Sequence, residues 1–281
     1  MLPDVFIDPI SVAVIATPIL LAIALLGEGS WKRRGMLCRD LGIPVGTLFA
    51  LIGMGQMLTM KADMGAIYGA TAVMLLVMFY GGLISVIGFF LESRFSDSHR
   101  NGPVQSSSIA RLALAIIALF ACVAYSALNG SSWFFFDGFA AAVWSLFLIA
   151  ALLFSSKESR VNNVARALLF QSMVCVVAGI IVFFTGDQGP GLSFAINGLI
   201  YGLISYVILY LACFQRGASE LINAPLTNWH WMEVTGFFTF MFLAPDTILD
   251  NLQDAAIADR FEALEQKVQD LQRELDTIDS Q

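Results

Sequence analysis

The chain has 281 residues, of which 58% are hydrophobic and only 13% are charged, and its formal net charge is −7. Soluble domains carry about 25% charged residues, so this composition is typical of an integral membrane protein. It excludes a soluble enzyme, a disordered chain and a nucleic-acid-binding module that depends on a basic face. The acidic excess lies in Asp246–Gln281, which holds ten of the 22 acids and three of the 15 bases and leaves twelve of each in residues 1–245.

Seven uncharged stretches are long enough to cross a bilayer, which takes about 20 apolar residues. In chain order they are Pro9–Gly27, Leu41–Met60, Met64–Leu91, Leu112–Phe136, Gly138–Ser156, Ala167–Gly186 and Gln188–Gln215. The predicted fold is therefore an all-α polytopic membrane protein with about seven transmembrane helices. An eighth apolar run, Val234–Pro245, is short and follows Trp229 and Trp231, so it is predicted to be interfacial, within a cytoplasmic and interfacial segment over 217–249.

The charges between these stretches predict their orientation. Alternate loops hold eleven bases, whereas the intervening loops hold one, Lys61. The eleven are Lys32, Arg33, Arg34, Arg39, Arg94, Arg100, Arg111, Lys157, Arg160, Arg166 and Arg216. By the positive-inside rule the N-terminus faces outward and the loop after the seventh stretch is cytoplasmic. We therefore expect a multi-pass protein of the cell membrane with its C-terminal segment in the cytoplasm.

The acidic C-terminal segment carries apolar residues at alternating spacings of four and three. They are Ile257, Phe261, Leu264, Val268, Leu271, Leu275 and Ile278. This a/d spacing predicts a coiled coil over 250–281 that joins subunits into a small parallel homo-oligomer. The alternative is a single amphipathic helix that lies on the chain's own cytoplasmic loops. The many acids argue against attachment of this segment to an anionic bilayer surface.

The sequence offers no pattern typical of catalysis or metal binding. No stretch has a charge near its centre, and there is no P-loop, no GxSxG motif and no His, Asp or Glu spacing that suits a metal. The four cysteines are interpreted as small buried or reduced thiols. We therefore predict that the protein is not an enzyme and has no catalytic residues, no metal and no cofactor.

Glycines are concentrated in the second and third stretches. The second contains Gly42, Gly46 and Gly53, and the third contains Gly81 and Gly82 among others. Because a glycine lets two helix backbones approach closely, these positions predict contacts between neighbouring transmembrane helices.

The region Leu41–Arg94 also resembles the core hairpin of the MotA/TolQ/ExbB proton-channel family. Its first half, from Gly42-Ile43-Pro44-Val45-Gly46-Thr47-Leu48 to Gln56-Met57-Leu58, is similar to the family's GxxGTxxGLIxML helix. Its second half, with Ala72-Val73-Met74-Leu75-Leu76 and Tyr80-Gly81, resembles the family's AxALLTTxYG helix. The predicted directions of the two helices agree with the family as well. The resemblance covers residues 41–94 of the chain.

The resemblance implies a ring of subunits, commonly five, around a single-span MotB/ExbD-like partner, with ion flow driving movement of one against the other. It implies that Thr47, which matches the family's Gly-Thr threonine, lines the ion path. The family's paired threonines fall on Val77 and Met78, and Thr71 shares that helical face and could take their place. The family's long cytoplasmic domain is absent, and only the Glu28–Asp40 loop stands where some members place it.

The spans also indicate an internal duplication in a 3+1+3 pattern. Spans one to three and five to seven are spaced alike, roughly 125 residues apart, and the YGGLIS segment at Tyr80 is echoed by YGLIS at Tyr201. The fourth span would link two three-span units in the same orientation. The predicted units are 1–108, a linker span over 109–131, and 132–216. Chance similarity within an apolar alphabet also explains the echo.

These patterns favour an oligomeric subunit of an ion-driven motor or energy-transducing proton channel, which clasps the transmembrane helix of a partner. Two alternatives stay open. One is a seven-helix receptor or scaffold that signals through its coiled coil, although its outer loops are short. The other is a small-solute transporter, which the repeats and the GDQGPG segment before the last span favour, and which discontinuous helices near mid-membrane would support.

Overall fold

The computed structural model describes residues 9–27, 30–59, 64–95, 109–128, 137–156, 160–185, 188–215, 264 and 266–267. Helices account for almost all of these residues. They are α1 (Pro9–Leu26), α2 (Trp31–Thr59), α3 (Met64–Arg94), α4 (Ile109–Leu128), α5 (Gly138–Phe154), α6 (Arg160–Phe184) and α7 (Gln188–Gln215). The described ranges contain no strand, so the predicted all-α class is confirmed for this part of the chain.

Six of the described helices are long and apolar enough to cross a membrane, and α5, with 17 residues, is slightly shorter. The protein is therefore a multi-pass membrane protein, and the described part of the chain supplies six or seven of its spans. The predicted interfacial run Val234–Pro245 lies outside the described residues.

The start of α2 differs from the predicted span. α2 begins at Trp31 rather than Leu41, and the Ser30 hydroxyl accepts a hydrogen bond from the Arg33 amide at 3.2 Å, as an N-cap does. The prediction of a loop over Glu28–Asp40 was therefore wrong for residues 31–40. Hydropathy marks the part of a helix that lies in hydrocarbon, and it does not detect a helix that continues into the headgroup region.

Neighbouring helices alternate in direction, so the starts of α2, α4 and α6 lie at the same end of the bundle as the ends of the other helices. On this end, a Cβ at Gly35 of α2 would touch the Glu92 amide of α3, and Tyr210 of α7 contacts Asp40 of α2. We call it the basic end because five bases of α2 and α3 lie there. They are Lys32, Arg33, Arg34, Arg39 and Arg94.

α2 and α7 form the centre of the bundle. Of the residues in the apolar part of each helix, 78% are buried in α2 and 61% in α7, against 28% in α3 and 11% in α4. Leu48 and Leu51 of α2 share one core cluster with Leu199 and Leu203 of α7. The outer faces of the remaining helices expose large apolar side chains such as Phe90, as expected for surfaces that contact lipid.

The pairing of α2 with α3 depends on glycine. A Cβ at Gly42 would lie 2.5 Å from the Gly81 carbonyl oxygen, and a Cβ at Gly46 would lie 3.0 Å from the Gly81 Cα. Neither position has room for a side chain at this separation of the backbones. Helices in lipid associate through such close packing, because leaving hydrocarbon for an apolar protein surface gains little.

A serine of α3 supports α2 beside its internal proline. Pro44 has no amide hydrogen, so it cannot close the helical hydrogen bond to the carbonyl four residues earlier. Next to it, the Ser85 hydroxyl donates to the Arg39 carbonyl at 2.8 Å and accepts from the Ile43 amide at 3.1 Å. The hydroxyl thereby bridges two backbone groups of one turn of α2, which is possible only because α3 lies so close.

α6 and α7 form a second close hairpin, to which α5 is attached. A Cβ at Gly179 of α6 would lie 2.5 Å from the Gly191 carbonyl oxygen of α7. Trp144 of α5 donates its ring N–H to the Ser205 hydroxyl of α7 at 2.9 Å. Asp137 caps α5 by accepting from the amides of the second and third helical residues, each at 2.9 Å.

Replacing Gly42 by alanine should destabilise the protein by about 1–3 kcal/mol, because the added methyl group forces α2 and α3 apart. The matched control is Gly53→Ala on the same helix, where the nearest atom to a Cβ is Met74 Cγ at 3.6 Å, an ordinary contact. Alanine is the better helix former, so this control should lose no stability. Reversible unfolding in mixed detergent micelles measures both variants. Equal stability of Gly42→Ala and the unsubstituted protein would contradict the close crossing.

Candidate functional site

Four polar side chains from three helices meet at the basic end. Arg39 Nε and Asp40 Oδ1 of α2 are 2.6 Å apart, and Arg39 Nη1 also pairs with Glu92 Oε2 of α3. The Tyr210 hydroxyl of α7 donates to Asp40 Oδ2 at 2.7 Å. We call these four residues the basic-end cluster. Each acid has a charged or hydroxyl donor, which is the condition for keeping carboxylates in a partly dehydrated place.

Two further arginines connect the same helices. Arg33 donates through Nη2 to the Phe214 carbonyl at 3.3 Å, and its guanidinium lies 4.7 Å from the centre of the Phe214 ring. Because the last carbonyls of a helix lack intrahelical donors, this arginine satisfies one of them at the end of α7. Arg34 donates to the Gly27 carbonyl at 3.2 Å, at the end of α1. The start of α2 thus binds the ends of α1, α3 and α7.

The basic-end cluster lies near helix ends. Glu92 is two residues from the end of α3, and Tyr210 is five residues from the end of α7. At this level of a bilayer, charged groups reach the headgroup region, so their cost is far below that of a carboxylate at mid-membrane. The cluster therefore suits helix positioning better than proton transfer across the membrane.

Uncharged polar side chains occupy the middle of the bundle. Gln171 of α6 has no exposed surface, and its Nε2 donates to the Gly198 carbonyl of α7 at 3.2 Å and to Cys175 Sγ at 3.3 Å. Asn197 of α7 is also fully buried and donates to the Ser193 carbonyl at 3.0 Å. Gln171 thus links α6 to α7, and Asn197 links two turns of α7. Sequence reasoning missed them because it looked for charges rather than for amides in apolar runs.

Thr47, the predicted ion-path residue, is buried in the core of the helix bundle. It is 1% exposed, and its hydroxyl has no hydrogen-bond partner in the described part of the chain. Val77 and Met78, at the positions of the family's paired threonines, lie on α3, and a Cβ at Gly46 would be 3.2 Å from the Val77 carbonyl. The surroundings of the Thr71 side chain lie outside the described residues. An ion path past Thr47 would therefore run through the helix bundle of a single chain.

The other predicted site residues fall into two groups. Gly42, Gly46 and Gly81 lie together at the crossing of α2 and α3, whereas Gly53 lies on α2 in ordinary contact with α3. Tyr80 is 9% exposed. Of the heptad positions, only Leu264 is described, and it is helical and exposed. The rest lie outside the described residues, namely Ile257, Phe261, Val268, Leu271, Leu275 and Ile278.

A groove of about 490 Å³ opens on the outer surface beside α3. Its lining is apolar apart from one serine. The lining residues are Ile43, Phe79, Gly82, Leu83, Ser85, Val86, Phe89 and Phe90. Because Ser85 turns its hydroxyl toward α2, the groove offers an occupant only apolar contacts.

No protein-family model matches the chain, and neither a curated protein nor a solved structure shows significant similarity to it. Within the described ranges, no three His, Cys, Asp or Glu side chains are grouped as a metal site requires.

The Tyr210–Asp40 contact can be tested with a double-mutant cycle. Tyr210→Phe should cost about 1.5–3 kcal/mol, because the lost hydrogen bond is made to a charged group. In combination with Asp40→Asn, the two effects should be non-additive by about 0.5–3 kcal/mol. Tyr125→Phe, at a tyrosine of α4 that is 67% exposed, should change little. Unfolding free energies in detergent give the coupling, and strict additivity would show that α7 does not contact α2 in this way.

Proposed function

We propose that this chain is a non-enzymatic, oligomeric subunit of the MotA/TolQ/ExbB type that clasps the transmembrane helix of a partner in the inner membrane. The observation that carries the proposal is the meeting of the two halves of the resembling region. Gly42 and Gly46 come from the first half and Gly81 from the second, and their backbones touch at one crossing. Motif residues from two successive helices thus meet in one compact hairpin.

The contacts between α2 and α3 support a role of the hairpin as one structural unit. Its two helices are joined by the glycine contact, by the Ser85 hydroxyl and by the Arg39–Glu92 pair at the basic end. These attachments hold the basic-end halves of the two helices together. Its outer face on α3 stays exposed in the single subunit, and this apolar face is available to another protein or to lipid.

Ion conduction is a separate and narrower proposal. It is supported by the Thr47 hydroxyl, which has no partner in the described part of the chain and could replace part of an ion's hydration. The neighbouring lining is aliphatic, with Leu48 and Leu51 fully buried beside it on α2. Clasping of a partner helix does not depend on conduction, so a scaffold of the same architecture remains if conduction fails.

The predicted duplication also stays a proposal. In both three-helix units the last two helices form a glycine-rich hairpin, and the first helix packs on it, which supports the 3+1+3 pattern. The burial of equivalent helices is unequal, since α2 is 78% buried and its counterpart α6 is 41% buried. If the two units arose by duplication, their middle helices, α2 and α6, now differ in how deeply they are buried in the bundle.

The alternatives receive less support from the described residues. The seven helices of the described ranges are continuous, whereas discontinuous helices near mid-membrane would support a small-solute transporter. A receptor or scaffold that signals through a coiled coil depends on the acidic segment, most of which lies outside the described residues.

Purification of the full-length protein from its native membrane should yield several copies of the chain, five by the resemblance, with one or two foreign single-span helices. Native mass spectrometry counts both kinds of chain. The control is the chain truncated before Asp246, which should lose copies if the predicted coiled coil joins subunits and keep them if the helices do. A monomer without any foreign chain would refute the proposal.

A further inference from the structure

The groove beside α3 is lined by a glycine and by exposed apolar side chains. Gly82 lines it, and a Cβ there would meet no atom within 4 Å, so the groove is open above this residue. Leu83 and Phe90 line it and are 43% and 64% exposed. The adjacent residue, Gly81, lies on the side of α3 that packs against α2. The groove is therefore a gap in the surface of a hairpin that is itself tightly packed.

The length of the groove fits one leaflet of a bilayer. Its α3 residues extend from Phe79 to Phe90, a rise of about 16 Å at 1.5 Å per residue. The hydrocarbon core is about 30 Å thick, so one leaflet contributes about half of it. The groove occupies the half of α3 that leads to the basic end. A partner helix that crosses the membrane would contact both halves, whereas an acyl chain contacts one.

The end of the groove is basic. Arg94 follows Phe90 by one helical turn on the same face of α3 and is exposed. Trp31 of α2 stacks against Phe95 with ring centres 6.2 Å apart, so the basic start of α2 lies beside the end of α3. Five bases and two acids, Asp40 and Glu92, lie at this end of the two helices, which leaves a local charge of +3.

We infer that the groove binds an anionic phospholipid from the leaflet at the basic end, with one acyl chain between Phe79 and Phe90 and the phosphate beside Arg94. Apolar walls along one leaflet and bases at the headgroup level complement the two parts of such a lipid. The inference does not depend on the proposed partner helix, because it uses only the surface of a single subunit.

The test uses the full-length protein in phosphatidylcholine nanodiscs that contain phosphatidylglycerol with a photoactivatable acyl chain. Mass spectrometry of the irradiated protein should place the label on residues 79–90. Photoactivatable phosphatidylcholine should label this segment several-fold less. Arg94→Gln should lower labelling by phosphatidylglycerol about fivefold, the ratio that corresponds to ~1 kcal/mol per basic residue near an anionic surface. Arg166→Gln, at an exposed arginine of α6, is the matched control and should leave it unchanged.

Gly82→Leu should fill the groove and remove labelling by both lipids without loss of stability, since its side chain meets no protein atom at the Cβ. Gly138→Leu, at the other described glycine with open space, controls for an added surface leucine. Equal labelling by the two lipids, or unchanged labelling in Arg94→Gln and Gly82→Leu, would overturn the inference. So would a photocross-link from Leu83 to a second protein chain in place of lipid.

Discussion

The close backbone contact between α2 and α3 is the interaction on which the rest of the bundle depends. In lipid, the helices gain association energy only at short range, and Gly42, Gly46 and Gly81 permit that range. Once the backbones touch, Ser85 reaches the backbone of α2 beside Pro44, and Arg39 comes within reach of Glu92. One packing constraint therefore determines the hydrogen bonding at the proline and the ion pair at the basic end.

α7 packs against α2 as well. Tyr210 binds Asp40, and Arg33 binds the last turn of α7, so the two helices are joined at the basic end as well as through their apolar core. α2 contacts α1, α3, α4 and α7, and most of the residues in its apolar part are buried within the single chain. The outer faces of α1 and of α3 to α6 are consequently the surfaces open to lipid or to another protein. Thr47 lies in the interior of the bundle and not on its outer surface.

The sequence predicts the membrane class and the positions of the helices well, because both follow from the length of apolar runs. It also predicts that Gly42 and Gly81 take part in contacts between helices, because small residues let the backbones of transmembrane helices approach closely. It does not predict the start of α2, because charged residues from Lys32 to Asp40 resemble a loop by composition. They are helical here because Arg39 and Asp40 find partners on α3 and α7.

The sequence does not predict contacts between distant parts of the chain. Tyr210 and Asp40 are 170 residues apart, and nothing local to either residue indicates the other. Gln171 likewise depends on a carbonyl of another helix, Gly198, for its burial. The candidate site could be anticipated only where it coincided with a local motif, as at the glycines. One side of α3 packs against α2, and the exposed groove lies on the side of α3 that this contact leaves uncovered.

The most direct measurement of this arrangement is carbene footprinting of the full-length protein in bilayers with a lipid-soluble diazirine, read at residue level by mass spectrometry. An enclosed α2 predicts strong labelling of exposed side chains on α3 and α4, such as Leu83 and Phe120, and almost none at Leu48 and Leu51 of α2. Assembly of copies would lower labelling of the outer helices without raising that of α2. Labelling of α2 as heavy as that of α3 would contradict a central α2 and the glycine contact that places it there.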